Sequence, residues 1–298
     1  METTLRRIFL FILASLLVAP LAAAQSIAKA VFEDPAPDAQ HPARMEVIHV
    51  PSGGVNINGV VYVASGPGPH PTFVLFHGLP GNEKNLDLAQ AVRRAGWNAV
   101  TINYRGSWGS PGNFRFAQNL EDASAVLAFI RDPANAKRLS IDTGRIAVGG
   151  HSMGGWVAAE TLAHDPALLG GVIISAADMG GLGQQGVKNP AAVAAFMDDN
   201  REALAGATGQ SMADEVIANG PQWSFAVLAP QLAKRRLLVL YSDDMVAPGD
   251  KALIAAIQSD GGTELQSGHE PTDHSWSDHR IALEARVINW LQALPATP

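Results

Sequence analysis

Residues 145–163 read RIAVGGHSMGGWVAAETLA. Arg145 to Gly150 is a short apolar run of the kind a buried strand uses. Met153 to His164, which carries Ala158, Ala159, Leu162 and Ala163, reads as a helix. Between them lies a complete G-x-S-x-G, Gly150-His151-Ser152-Met153-Gly154. A serine on such a strand-to-helix turn sits in a cramped bend. Its flanking glycines make room for neighbouring backbone, and its hydroxyl points out of the sheet edge at a helix N-terminus. That context makes Ser152 a candidate nucleophile, where the bare pattern would mark only a Gly-rich turn.

The same rhythm extends outward. Thr72–His77 and Asn98–Asn103 are further apolar runs, flanking a helical pattern over Glu83–Ala95 that ends at Gly96. Asn119–Arg131 reads as a helix with Pro133 just past its end, and Met45–Val50 with Ile57–Ala64 as a hairpin around Gly53-Gly54. Downstream, Gly171–Ser175, Leu237–Tyr241 and Thr263–Gln266 read as strands, and Lys251–Gln258 as a helix. Ser277–Leu294 is a closing helix with Ile281, Leu283, Ala285, Val287, Ile288 and Leu291 as core candidates. Strands alternating with helices predict an α/β fold with a mostly parallel central sheet covered on both faces.

Residues 176–236 break the alternation. They carry helical patterns near Ala191–Leu204 and Met212–Ala218 and apolar residues (Phe196, Met197, Trp223, Phe225, Leu228) that need a surface to pack on. The stretch reads as a helical cap inserted before strand Leu237–Tyr241, with Gly180-Gly181-x-Gly183 as turns and Leu228–Ala233 as cap packing. Residues 1–24 read as a signal peptide: Arg6-Arg7, an apolar run from Ile8 to Ala19, and small residues Ala22-Ala23-Ala24 before Gln25. Residues 25–298 then form one domain, exported to the periplasm or the medium, with no stable membrane span after signal removal.

Composition narrows the function. The 298 residues are 47% hydrophobic and 16% charged, with a net charge of −7 from 21 basic and 28 acidic side chains. No concentrated basic face is evident, so nucleic acid is not an expected partner. The chain contains no Cys, which excludes disulfides, thiolate metal sites and a cysteine nucleophile. No HExxH or carboxylate cluster suggests a metal, and no cofactor is expected. His41, His49, His70 and His164 read as ordinary surface or loop residues.

From about residue 45 to 294 the chain resembles the α/β-hydrolase family. The resemblance rests on the serine turn and on His77-Gly78-Leu79-Pro80-Gly81, which follows a strand where the family carries its oxyanion segment. It implies that the backbone N–H groups of Leu79 and Met153 stabilise an oxyanion, with His77 structural. After strand Leu237–Tyr241 comes Ser242-Asp243-Asp244-Met245-Val246-Ala247-Pro248, where the family places its acid. Asp244 fits the spacing, with Asp243 as the alternative; either could instead cap the following helix. Asp273-His274-Ser275-Trp276 resembles the family's Asp-His-Ser-aromatic loop and points to His274 as general base, with His269 and His279 as alternatives. Asn103-Tyr104-Arg105-Gly106-Ser107 resembles a segment of dienelactone-hydrolase-like and prolyl-oligopeptidase-like members. It either lines the site or turns the loop back over the sheet.

The order Ser152, Asp244, His274 is the one this fold requires. The resemblance implies hydrolysis of a small-molecule ester or a short peptide through an acyl-serine, esterase first and acylaminoacyl-type amidase second. Residues 25–71 are too few for the β-propeller of an oligopeptidase. A non-catalytic binding protein of the same fold, or a haloperoxidase side activity with the same triad, are the remaining readings. A dehalogenase would need Asp where Ser152 stands.

Overall fold

A computed structural model describes residues 28–296; the signal-peptide reading of residues 1–24 falls outside them. Eight strands form one sheet in the order β1-β2-β4-β3-β5-β6-β7-β8. The hairpin β1 (Arg44–Ser52) and β2 (Val55–Val63) is antiparallel, and β2 runs antiparallel to β4. The rest is parallel: β3 (His70–Phe76), β4 (Asn98–Ile102), β5 (Ile141–His151), β6 (Gly171–Ile174), β7 (Leu237–Tyr241) and β8 (Leu265–His269).

The inner strands are apolar on both sides because both faces are covered, as parallel sheets require. Successive side chains alternate between two cores. Phe73, Leu75, Ala147, Val172 and Leu240 pack with α1 (Leu86–Arg94) and α10 (Arg280–Ala293). Val74, Phe76, Val148, Ile173 and Val239 pack on the other face with α2 (Phe116–Arg131), α3 (Pro133–Leu139), α4 (Met153–His164) and α9 (Ala247–Ser259).

Between β6 and β7 the chain makes four helices: α5 (Met179–Lys188), α6 (Pro190–Asp198), α7 (Gly209–Asn219) and α8 (Phe225–Leu232). α8 lies against α4 and α9, as a crossover helix does. The excursion proper is α5–α7, and its two ends are tied together. Gly180 N donates to Trp223 O at 3.2 Å, and Phe225 N donates to the Asp178 carboxylate at 3.2 Å.

Several sequence readings need correction. Gly180, Gly181 and Gly183 form no turn but lie inside α5. A Cβ on Gly183 would stand 2.2 Å from Val216 O, so the glycines let α5 and α7 approach closely. Pro133 does more than end α2, because it opens α3 with Asp132 accepting from Ala134 N and Asn135 N. Strand β8 begins two residues later than Thr263. Ile281 and Phe196, expected to pack inward, are exposed, and His70, expected at the surface or in a loop, is buried at the start of β3.

Candidate active site

Ser152 joins β5 to α4 with φ +57°, a left-handed conformation that is strained for a residue with a Cβ. The glycines around it are sterically required. A Cβ on Gly150 would fall 2.0 Å from Gly154 O, and one on Gly154 would fall 2.1 Å from Phe76 O. The strain persists because Ser152 N donates to Ile174 O at 3.0 Å and Gly155 N donates back to Ser152 O at 2.9 Å.

Ser152 opens on a cavity of about 470 Å³ that Leu79, Met153 and His274 also line. Met179, Leu182, Phe196 and Met245 make much of its remaining wall apolar, and no Lys or Arg lines it. The structure therefore gathers Leu79, Ser152, Met153 and His274 around one space.

Asp244 lies just behind. Its side chain is almost buried and takes four hydrogen bonds: Oδ1 accepts from Val246 N and Ala247 N at 2.9 Å each, and Oδ2 from Ser242 Oγ at 2.7 Å and His274 Nδ1 at 2.8 Å. Asp244 thus holds the start of α9 and the imidazole at once. Burial pushes its carboxyl up, but the bonds from His274 and Ser242 and the adjacent imidazole outweigh this and hold it well below the usual carboxylate range. An ionised carboxylate only accepts, so Nδ1 of His274 carries the proton and Nε2 is left with its lone pair. Among the described residues, no hydrogen bond links Ser152 Oγ to His274.

The alternatives lie elsewhere. Asp243 accepts from Nε2 of His269 at 2.8 Å on the exposed edge by β8. His279 precedes α10 and bonds to Asp278 at 2.9 Å. His77 is buried, with Nδ1–H donating to Gly78 O at 2.8 Å and its ring on Tyr104; burial pushes its imidazole down to about 4. The Asn103–Ser107 segment does not line the cavity. Arg105 turns away to pair with Asp122 on α2, Nε to Oδ1 at 2.7 Å, with both side chains buried. The next residue, Trp108, donates Nε1–H to Pro80 O at 2.7 Å and so braces the loop that carries Leu79.

One contributor was missed. His151, the x of the serine motif, is buried, and its Nε2 donates to the backbone carbonyl of His274 at 2.7 Å. Burial, and then the neighbouring His274, push its imidazole down to about 3, so it is a neutral tether for the histidine loop. The signal was present only as an unremarked histidine beside Ser152. Among the described residues, no cluster of three or more His, Asp and Glu side chains is placed to hold a metal. None of the described helices is long and apolar enough to cross a membrane.

This arrangement of sheet, serine turn and following loops agrees with the sequence comparison. The model of the alpha/beta hydrolase family matches residues 73–286, more than half of the chain, and the protein belongs to that family. Solved structures resemble it over most of its length. An acylaminoacyl peptidase from Pyrococcus horikoshii has a TM-score of 0.65 and 16% identity, covering 86% of this chain. The match spans only 42% of that peptidase. An esterase from Pyrobaculum calidifontis has a TM-score of 0.59 and 19% identity, covering 86% of this chain and 87% of its own. One from Pyrococcus furiosus has a TM-score of 0.62 and 14% identity, covering 85% and 92%. At such identities the likeness is one of fold. No curated protein matches the sequence.

Proposed function

We propose that the protein is an exported serine hydrolase acting on esters, with Ser152 as nucleophile, His274 as general base and Asp244 as the acid. The observation that carries this reading is the Nδ1–Oδ2 bond of 2.8 Å between His274 and Asp244, in a loop that opens on the same cavity as Ser152. His274 Nε2 takes the Ser152 proton as Oγ attacks the substrate carbonyl carbon. The carbonyl π electrons move onto oxygen, which the backbone N–H groups of Leu79 and Met153 stabilise by about 3 kcal/mol per donor. Collapse expels the alcohol, which receives the proton from His274. Water, deprotonated by the same imidazole, attacks the acyl carbon; the C–Oγ bond breaks, the acid leaves, and His274 returns the proton to Ser152 Oγ.

The apolar wall and the lack of a lining Lys or Arg favour an uncharged ester over a peptide anchored by its terminal carboxylate. An acylaminoacyl-type amidase would use the same three residues. Export rests on the Arg6-Arg7, apolar and Ala22-Ala23-Ala24 pattern, which gives a mature chain beginning at Gln25.

The test is covalent labelling with a fluorophosphonate, read by peptide mass. A single adduct on Ser152 in the wild type, absent in Ser152→Ala, is the expected result. A folded wild-type protein that takes no label would overturn the reading in favour of a binding protein.

A further inference from the structure

Behind Asp244 runs a line of buried polar groups that the three catalytic roles leave unexplained. Ser242 Oγ lies 2.7 Å from Asp244 Oδ2, Ser175 Oγ lies 3.0 Å from Ser242 Oγ, and Trp276 Nε1 lies 3.0 Å from Ser175 Oγ. Ser242, Ser175 and Trp276 are all fully buried. They come from three separate places: the end of β7, the end of β6, and the loop that carries His274.

The ends of this line fix its direction. An indole N–H can only donate and an ionised carboxylate can only accept. Ser175 therefore accepts from Trp276, and Ser242 gives its one proton to Asp244. Between the serines, Ser175 must donate and Ser242 accept. The reverse arrangement would set two bare oxygens 2.7 Å apart at Asp244. Along this line every hydroxyl proton points toward Asp244, so the line as a whole presents donors to the carboxylate.

Backbone geometry points the same way. Ser152, Ser175 and Trp276 are three of the six described non-glycine residues with positive φ, at +57°, +40° and +58°. Such strain persists only where surrounding structure over-determines it, and it concentrates at functional sites. Here it sits on the nucleophile and on two members of the line behind the acid.

The geometry points to Trp276, Ser175 and Ser242 as positioning residues that hold Asp244 against His274 through a one-way hydrogen-bond relay. This rests on the serine-hydrolase reading for its catalytic meaning, but not for its physical effect. Trp276 is two residues from His274, so the loop that presents the base also carries the first donor to the acid. Acid and base are thereby set together.

The test is the titration of the His274 imidazole by ¹³C and ¹⁵N NMR, beside the pH profile of kcat/KM. The proteins are the wild type, Ser242→Ala and Trp276→Phe, with the signal assigned by its loss in His274→Gln. Other groups facing the pair are Asp250 on α9, His151 at the end of β5 and Arg280 at the start of α10, and all are untouched by these changes. Removing the Ser242 hydroxyl leaves more charge on Asp244 for the imidazolium. The His274 midpoint, and the acid limb of the rate profile, are expected to move up by about 0.5 to 1 pH unit. kcat is expected to fall about tenfold with KM unchanged, because geometry and not binding is lost. Trp276→Phe is expected to give a smaller shift in the same direction, and Ser242→Ala decides the matter if that variant folds poorly.

Unchanged midpoints would overturn the relay and leave these groups as packing. If the wild type neither labels nor hydrolyses while Ser242→Ala still moves the midpoint, the relay stands and the hydrolase reading falls.

Discussion

Two aspartates side by side, Asp243 and Asp244, each hold a histidine, His269 at the exposed edge and His274 at the cavity. The bend after β7 sends the two side chains to different partners, and of the two only Asp244 bonds to the histidine that lines the cavity. Asp244→Asn is therefore expected to lower kcat by about 10³ to 10⁴, since an amide cannot enforce the Nδ1–H tautomer. Asp243→Asn is expected to leave turnover of the same ester within about twofold, because a mutation of an exposed pair costs little. Equal losses in both would show that the pairing is not what organises His274. At this scale the serine turn and the Asp-His-Ser-aromatic loop were legible, because motif and place in the strand order agree. The relay was not legible: Ser175 and Ser242 are unremarkable serines until β6 and β7 pair and bring their hydroxyls together.

Parallel strands announce themselves, since a strand covered on both faces must be an apolar run; β3, β4, β5, β6 and β7 were all read this way. The excursion between β6 and β7 hid two helices for the opposite reason. α5 holds Gly180, Gly181, Gly183 and Gly186, which lower helix propensity but allow contact with α7 and the start of α8. Gly183→Ala is expected to cost about 1 to 3 kcal/mol in chemical unfolding, and to raise KM more than it lowers kcat, because α5 lines the cavity wall. The buried pair between Arg105 and α2 gives a contrasting outcome. Arg105→Ala would leave Asp122 charged and buried without its partner, for an expected loss of about 3 to 5 kcal/mol. The same denaturation curve reads both variants.

Buried histidines give the whole molecule an acid-sensitive stability. Burial holds His151 at about 3 and His77 at about 4, while in an unfolded chain each titrates near its ordinary 6.5. Below that value the unfolded chain takes up protons that the folded one refuses. The stabilisation is complete above pH 6.5 and is lost as pH falls from there toward 4 and 3. Asp244, held low, adds to the loss at still lower pH. Asp250, pushed well up by burial, acts in the opposite sense, and its contribution fades as pH rises. Urea unfolding is expected to show stability falling between pH 6.5 and 5 by at most about 1.4 kcal/mol per pH unit for each histidine. His77→Gln is expected to flatten that slope. A slope that His77→Gln leaves unchanged would mean that water reaches that ring.

The stitched ends of the α5–α7 excursion carry a consequence for how this protein can vary. The polypeptide leaves and rejoins the body at one spot, through Gly180 with Trp223 and Asp178 with Phe225. The segment is fastened a second time midway, where Leu204 bridges Ser107, Ala205 N donates to Gly106 O at 2.7 Å and Phe114 N donates to Ala205 O at 2.9 Å. Between these two seams it can be lengthened or shortened without redrawing the sheet, and any replacement must keep both. Recognition can then diversify while the chemistry beneath it is inherited unchanged.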